Sequence, residues 1–172
     1  MIIILMGVCG SGKTTIGQAL AHKLQCGFSD GDSFHPGKNI DKMRAGIPLE
    51  DEDRWPWLQK IREAIEEWQN SGDSHVIACS SLKAIYRTIL SPENDVVFIY
   101  LKGDRQIIKE RLEMRTGHYM NPDLLDSQFT ALEEPDDAII IDISQTPDEI
   151  THAVLTAITK RNAEITENNR PI

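Results

Sequence analysis

The sequence predicts a single α/β domain in which a five-stranded parallel sheet is flanked by helices and carries a mobile lid. Short aliphatic and β-branched runs alternate with segments of helical periodicity, which indicates right-handed βαβ units. The first run, Ile2-Ile3-Ile4-Leu5-Met6, ends in a glycine, as a central strand covered on both faces does. A length of 172 residues fits one compact domain, so residues 1–172 are expected to form one unit.

Five apolar runs are the predicted strands, because each is short, apolar and bounded by polar or glycine residues. They cover residues 2–6, 28–30, 76–79, 96–101 and 139–143. The longest of these runs remain far below the ~20 residues that a membrane-spanning helix needs. They are therefore interpreted as buried strands, and no membrane partner is expected.

Helical periodicity marks the segments between the strands. Trp57, Ile61, Ile65 and Trp68 repeat on one face, and Pro56 suits a first turn, so a helix is expected to start near Pro56. Further helices are predicted over residues 16–24, 38–44, 82–90, 105–115, 124–132 and 147–159. The polar residues 161–172 are expected to fray.

The composition limits the kinds of partner. A formal charge of −9 disfavours nucleic acid, because binding a phosphate backbone needs a basic face that releases counterions. Cys9, Cys26 and Cys79 form no C-x-x-C pair, and no charged segment followed by an apolar leader opens the sequence. We therefore expect a reduced, cytoplasmic protein.

The segment from Gly7 to Thr14 fits the pattern G-x-x-x-x-G-K-[ST] between a predicted strand and a predicted helix. This context predicts the P-loop NTPase or kinase fold, with ATP bound by converging backbone N–H groups. The Lys13 ammonium would neutralise β- and γ-phosphate charge, and the Thr14 hydroxyl would bind Mg²⁺. The predicted nucleotide-binding residues here are Gly7, Gly10, Ser11, Gly12, Lys13, Thr14 and Thr15. The GTPase patterns N-K-x-D and D-x-x-G are absent from the sequence, which disfavours a GTP switch protein.

Two aspartates follow the second predicted strand. Asp30 and Asp32 come at the carboxyl edge of the sheet, where open α/β sheets bind ligands. A carboxylate there can orient an acceptor hydroxyl and take its proton, and Asp32 is the predicted catalytic base. A solvated turn is the alternative, and for Asp30 the two interpretations are evenly balanced. The acceptor-binding loop is predicted over about residues 31–54.

Basic residues gather near the ends of the second and third predicted strands. They are His35, Lys42, Arg44, Arg54, Lys83 and Arg87. In an acidic protein this group suggests an acceptor with an anionic group, which guanidinium forks hold best. Pairing of Lys42 and Arg44 with the acidic residues 50–53 is the alternative. His35 has no partner at metal-binding spacing, so a hydrogen bond to a polyol is the preferred role.

With these residues the chain resembles the P-loop gluconate kinases of bacteria and eukaryotes, over about residues 2–144. The matching motifs include Asp30-Gly31-Asp32, His35-Pro36, Asn39, Lys42-Met43, Gly46-Ile47-Pro48-Leu49, Pro56-Trp57-Leu58, Cys79-Ser80-Ser81-Leu82-Lys83, Tyr86-Arg87, Gly117-His118-Tyr119-Met120 and Ser127-Gln128-Phe129. Ser81, Thr88 and Asn121 stand where alanine, aspartate and proline are usual in that family. The resemblance implies phosphorylation of gluconate at its 6-hydroxyl by ATP. It also implies a homodimer.

Phosphoryl transfer needs positive charge on the moving group, so arginines beside a closing lid are expected. Arg111 and Arg115 share one predicted helix face and lead into the predicted lid, about residues 116–127. By similarity to related kinases of this fold, Arg111 lies over the adenine and Arg115 reaches the phosphates, which makes Arg115 a predicted catalytic residue. Pairing with Glu110 and Glu113 is the alternative.

Other functions remain open at this point. A kinase of the same fold would act on shikimate, another sugar acid or a nucleoside monophosphate, and a regulator would bind ATP without acceptor-dependent turnover. The presence of Lys13, Thr14 and Asp32 argues against the regulator. The predicted mechanism is in-line transfer, with Lys13 and Mg²⁺ on the phosphates, Asp32 on the 6-hydroxyl and a lid arginine on the transition state.

Overall fold

The computed structural model describes residues 1–114 and 122–168. Within them a fully parallel sheet runs in the order β2-β3-β1-β4-β5. The strands are β1 (Ile2–Met6), β2 (Gly27–Asp30), β3 (His75–Ala78), β4 (Val96–Lys102) and β5 (Ile139–Asp142). The predicted α/β class and parallel sheet are confirmed, because the hydrophobic runs that the sheet buries are the runs seen in the sequence.

Helices cover both faces of the sheet. They are α1 (Lys13–Leu24), α2 (Gly37–Arg44), α3 (Asp51–Ser71), α4 (Ala84–Leu90), α5 (Arg105–Glu113), α6 (Pro122–Ala131) and α7 (Pro147–Asn168), with a 3-10 helix at Gly31–Phe34. Of the predicted lid, residues 116–121 lie outside the described residues, and the remainder begins α6. Among the described residues, no helix combines the length and the apolar character needed to cross a bilayer.

Strand β1 divides the core into two layers, because successive side chains point to opposite faces. Ile3 and Leu5 pack with apolar residues of α1, α5 and α7. Ile2, Ile4 and Met6 pack with α3 and α4, and Trp57 and Ile61 are buried in this second layer. Trp57 is therefore a core residue, as its helical spacing predicts.

The register of the strands brings three loops to one edge of the sheet. Leu5 of β1 and Asp30 of β2 both pair with Ala78 of β3, so these strands end side by side. The Gly7 N–H then donates to the Ser80 carbonyl at 3.2 Å. The phosphate loop, the turn after β2 and the segment after β3 therefore face the same cleft.

Helix α3 begins at Asp51, so the start predicted near Pro56 is wrong. The Glu50 side chain accepts from the N–H of Asp53, and the Asp53 carboxylate accepts from the Glu50 N–H at 3.1 Å, which is a reciprocal capping box. The acidic residues of the first turn also suit the positive end of the helix dipole. Pro56 is tolerated inside the helix near its start.

Other boundaries also differ from prediction, among them the start of α4 and the end of α7. Helix α4 begins at Ala84 instead of residue 82, where the Ala84 N–H donates to the Glu133 carboxylate at 2.6 Å. Helix α7 continues to Asn168, so the prediction that the chain frays from residue 161 is wrong through that point. No glycine or proline interrupts the segment before Pro171, and Lys160 lies 4.0 Å from Glu164 one turn later.

Candidate active site

The phosphate loop folds as its motif predicts, between β1 and the first turn of α1. Gly10 and Gly12 adopt φ values of 82° and 96°, in the left-handed region that favours glycine. A Cβ on Gly10 would also meet the Leu112 side chain of α5 at 2.9 Å. The loop is therefore held by backbone geometry and by close contact with the helix that leads to the lid.

The Lys13 ammonium lies at the mouth of this loop. In the structure it donates to the carbonyls of Gly7 at 3.0 Å and Val8 at 2.9 Å, which orders the lysine across the loop. Burial lowers the pKa of Lys13, while the charges of Asp32 and Asp30 on the acceptor side raise it. The oxygens of a bound phosphate would replace these two carbonyls as hydrogen-bond acceptors of the Lys13 ammonium. Because a charged acceptor forms the stronger hydrogen bond with an ammonium, this exchange is favourable.

Other predicted loop residues differ in their surroundings. Ser11 is a fully buried residue of the loop, and its hydroxyl has no hydrogen-bond partner in the described part of the chain. Thr15 is exposed on the first turn of α1. These placements are compatible with the predicted nucleotide-binding roles, which remain predictions.

Asp30 connects the phosphate loop to the acceptor side. One of its carboxylate oxygens accepts from the Thr14 hydroxyl at 2.9 Å, and the other accepts from the Asp32 N–H at 3.1 Å. Mg²⁺ prefers oxygen ligands, and sites that also bind substrate phosphates use one or two carboxylates. The oxygens of Thr14 and Asp30 therefore fit the predicted cation, and Asp30 joins Thr14 as a candidate metal ligand.

The Asp32 carboxyl opens into the cleft, with 82% of its side chain exposed. The protein packed around the cleft raises the pKa of Asp32, and the Asp30 carboxylate adds to this, whereas Lys13 and Arg54 oppose it. Because the carboxyl still reaches solvent, we expect a modest shift. A carboxylate of raised pKa next to a phosphate loop is suited to accepting a hydroxyl proton.

His35 is held firmly beside Asp32. Its ring stacks on Trp57 with centroids 4.3 Å apart, and Trp57 also donates its indole N–H to the Gly31 carbonyl at 2.7 Å. His35 Nδ1 lies 3.2 Å from the side-chain nitrogen of Asn39. Burial lowers the pKa of His35 to about 4, with a contribution from the positive charge of Arg54, so the imidazole is neutral at physiological pH.

A cavity of about 340 Å³ lies between the start of α3 and the start of α4. Its lining residues are Leu49, Glu50, Asp51, Glu52, Arg54, Leu82, Lys83, Tyr86 and Ala131. Arg54 and Lys83, both predicted to bind substrate, are among them. The Arg54 charge also acts on Asp32 and His35, so Arg54 links the cavity to the predicted catalytic residue Asp32.

Asp51 organises the cations of this cavity. It accepts from the Lys83 ammonium at 2.7 and 2.9 Å and from the Tyr86 hydroxyl, and these hydrogen bonds lower the pKa of Asp51. Arg54 donates to the Leu49 carbonyl at 3.3 Å and lies over the Tyr86 ring at 5.6 Å. Among the described residues Arg54 has no carboxylate partner, which leaves its charge available to an anion.

Two predicted substrate ligands have internal partners. The Lys42 ammonium contacts both oxygens of the Asp53 carboxylate at 2.8 and 2.7 Å, the pairing that the sequence left open. Arg87 is buried and donates to the carbonyls of Ser81, Leu82 and Glu133 at 3.0–3.2 Å. Substrate binding by Lys42 and Arg87 stays a prediction, but these contacts favour structural roles for both.

The lid side of the cleft is described in part. Arg111 donates to the carbonyls of Ile143 and Gln145, next to the loop after β5, while Arg115 lies outside the described residues. The Cys9 N–H of the phosphate loop donates to the side-chain oxygen of Gln128 on α6 at 2.6 Å. Helices α5 and α6, which come before and after the undescribed part of the predicted lid, therefore contact the loop after β5 and the phosphate loop respectively.

Several residues of the site were assigned no catalytic or ligand-binding role from the sequence. They are Asn39, Asp51, Asp53, Tyr86 and Gln128. Four of these are polar side chains whose partners come from other elements, so neither periodicity nor spacing reveals them. Asp53 is the exception, because an acidic residue three positions after Glu50 at a helix start is a capping-box signal.

Comparison with known proteins places this arrangement in a family. The family model described as shikimate kinase matches residues 9–159. A probable gluconokinase of Dictyostelium discoideum is 45% identical over 168 residues, covering 90% of this chain and 84% of that protein. The thermosensitive gluconokinase of Escherichia coli K12 is 46% identical over 160 residues, covering 90% and 86%. The crystal structure of a gluconokinase from Sinorhizobium meliloti superposes with a TM-score of 0.88 at 37% identity, covering 98% and 97%.

Proposed function

This chain belongs to the gluconokinase family of P-loop kinases, and we propose that it transfers the γ-phosphoryl group of ATP to the 6-hydroxyl of D-gluconate. One observation carries the proposal. Asp30 bonds the Thr14 hydroxyl and the Asp32 N–H at once, so the acceptor-side carboxylate is held beside the phosphate loop. This arrangement serves transfer between two substrates, whereas a nucleotide-binding regulator would not need it.

On the phosphate side, the loop amides and the Lys13 ammonium would bind the β- and γ-phosphates of ATP. Thr14 and Asp30 would hold Mg²⁺, which, when bound, neutralises phosphate charge. The Lys13 ammonium already bonds two carbonyls of the loop, and these are the contacts that phosphate oxygens would replace. We propose ATP and Mg²⁺ as the cosubstrate and the metal on this basis.

On the acceptor side, Asp32 would orient the 6-hydroxyl and accept its proton as the oxygen attacks phosphorus. His35 would donate a hydrogen bond to a substrate hydroxyl. The gluconate carboxylate is best matched by the Arg54 guanidinium, because Lys83 already shares Asp51 and Lys42 already pairs with Asp53. Arg111 would lie over the adenine, and Arg115 would reach the phosphates and stabilise the transition state, as expected from related kinases.

Shikimate is the second candidate acceptor, because the matching family model is that of shikimate kinase. Shikimate also presents a carboxylate and hydroxyls. The identity of 45–46% with gluconokinases over nine tenths of the chain favours gluconate. The homodimer implied by the sequence resemblance is proposed as well, and light scattering of the purified protein tests it.

The test of the function is a coupled ADP-release assay with Mg-ATP. Gluconate, idonate, shikimate and nucleoside monophosphates are each compared with a blank that lacks acceptor. We expect gluconate-dependent ADP release well above that with shikimate. Release with another acceptor alone would overturn the substrate, and ADP release that no acceptor increases would overturn the kinase proposal.

A further inference from the structure

We propose that Asn39 is a positioning residue that holds the His35 imidazole in the tautomer with its proton on Nε2, facing Asp32 and the acceptor. This inference deepens the proposed function and rests on it for the identity of the acceptor. It concerns two residues of the acceptor loop, one of which, Asn39, has no role assigned by the motifs or the comparisons.

The orientation of the Asn39 amide is fixed by a neighbour that can only accept. Its side-chain nitrogen lies 2.7 Å from the carbonyl oxygen of Asp53. A carbonyl accepts hydrogen bonds and cannot donate them, so the NH₂ group, not the oxygen, must face Asp53. The amide of Asn39 is therefore not free to turn over.

The same nitrogen fixes the tautomer of His35. It lies 3.2 Å from His35 Nδ1, and an amide nitrogen donates but does not accept. Nδ1 must then offer its lone pair, which leaves the single proton of a neutral imidazole on Nε2. Burial holds the His35 pKa low, so the neutral form is the relevant one.

The Nε2 proton points toward the catalytic side. His35 Nε2 lies 4.0 Å from an Asp32 carboxylate oxygen, too far for a direct hydrogen bond. A hydroxyl oxygen about 2.8 Å from each atom can sit at the apex of the triangle. It would accept from Nε2–H and donate its own proton to Asp32, which is the orientation a nucleophilic hydroxyl needs.

Burial of the Asn39 amide carries a cost, because its side-chain oxygen is left without a hydrogen-bond partner among the described residues. The residue is fully buried. A buried acceptor without a partner is unfavourable, and a leucine of similar size would avoid it. The Asn39 nitrogen makes two donations that a leucine could not, one that joins α2 to the start of α3 and one that orients His35.

The sharpest test is ¹⁵N NMR of the histidine rings at pH 7.5, with His35 assigned by comparison with H35Q. We expect His35 to carry its proton on Nε2 in the wild type and to populate both neutral tautomers in N39L, because the leucine side chain offers Nδ1 no hydrogen-bond donor. His75 is the internal control, since it lies at the amino end of β3, where its ring contacts Ser29 and Trp68, and its tautomer should be unchanged. A wild-type proton on Nδ1, or an unchanged His35 in N39L, would overturn the inference.

Kinetics then test whether the tautomer matters. We expect N39L to raise KM for gluconate about tenfold while KM for ATP stays within about twofold. A changed tautomer population in N39L with unchanged gluconate kinetics would overturn the positioning role. If the wild type shows the Nε2 proton but does not phosphorylate gluconate, the proposed substrate fails while the tautomer assignment stands, so the two failures are distinguishable.

Discussion

The phosphate side and the acceptor side of the cleft differ in the parts of the chain that form them. The phosphate side is mainly backbone, with glycine conformations and N–H groups from one short stretch of chain, and Lys13 bonds only carbonyls of that stretch. The acceptor side consists of side chains from the 3-10 helix and its end, from α2 and α3 and from the start of α4, and several of them bond one another or a neighbouring carbonyl. The phosphate side is therefore set by local geometry, whereas the acceptor side exists only after distant elements have packed.

The two sides also differ in how much positive charge is available to a substrate. Within the described part of the chain, Lys13 has no carboxylate within hydrogen-bond reach, so its charge is available to a phosphate. Lys42 and Lys83 each already share a carboxylate, so their positive charge is largely cancelled before any substrate arrives. A count of basic residues near the acceptor therefore overstates the charge that gluconate would meet.

Lys13→Ala gives the largest expected effect and tests the phosphate side. We expect kcat to fall about a thousandfold, because the ammonium stabilises charge that develops during transfer. The thermal unfolding midpoint should stay close to that of the wild type, since the ammonium bonds only its own loop. ADP release and circular dichroism measure the two quantities. Lys23→Ala, an exposed lysine of the same helix, is the control, and wild-type turnover in Lys13→Ala would refute the phosphate role.

Asp32→Asn tests the acceptor side in the same assay. We expect kcat to fall by about a hundredfold, because an amide cannot accept the hydroxyl proton, while the Kd for ATP changes by less than about twofold. Nucleotide titration calorimetry measures the Kd. Asp41→Asn on the exposed face of α2 serves as the matched control. An equal loss of ATP affinity would place Asp32 on the phosphate side instead.

Arg54→Met and Arg87→Met sharpen the distinction between available and internally bonded cations. We expect Arg54→Met to raise KM for gluconate about tenfold with little loss of stability, because its charge has no carboxylate partner among the described residues. Arg87→Met should instead lower the free energy of unfolding by about 2 kcal/mol, since it leaves buried carbonyls without a donor. Urea denaturation and steady-state kinetics on both variants separate the two roles. A raised KM for gluconate in a fully stable Arg87→Met protein would restore Arg87 as a substrate ligand.

The smallest expected effect is the pH dependence that His35 adds to stability. Its folded pKa of about 4 lies below the unfolded value of about 6.5, so its contribution is present above pH 6.5 and is lost as the pH falls toward 4. We expect His35 to account for about 1.3 kcal/mol of the stability lost between pH 7.5 and 5.5. Urea denaturation of His35→Gln should show a correspondingly flatter profile. Identical profiles for the two proteins would contradict the low pKa.

Much of the fold was predictable because it depends on contiguous patterns. Strand β1 is a continuous apolar run, and the phosphate loop follows it with glycines at fixed offsets, so both appear in the sequence directly. The start of α3 was missed because Pro56 was taken as a first-turn signal. The capping box formed by Glu50 and Asp53 determines the start instead.

The acceptor side was predictable only in its residue types. The sequence indicates that Asp32, His35 and Arg54 belong near one edge of a sheet. It does not show that the Lys42 ammonium pairs with the Asp53 carboxylate or that Arg87 donates hydrogen bonds to three carbonyls. Those contacts depend on how α2, α3 and α4 pack, and no spacing along the chain encodes them. Side-chain networks of this kind require the folded structure.

The most direct test of the proposed reaction is proton-coupled ³¹P NMR of the product formed from ATP and gluconate. Transfer to the 6-hydroxyl places phosphorus on the oxygen of a CH₂ group. We therefore expect a new phosphate monoester signal that the two CH₂ protons split into a triplet. Transfer to any of the secondary hydroxyls would give a doublet instead. A doublet, or the appearance of inorganic phosphate alone, would contradict the proposal that Asp32 directs the 6-hydroxyl at the phosphate loop.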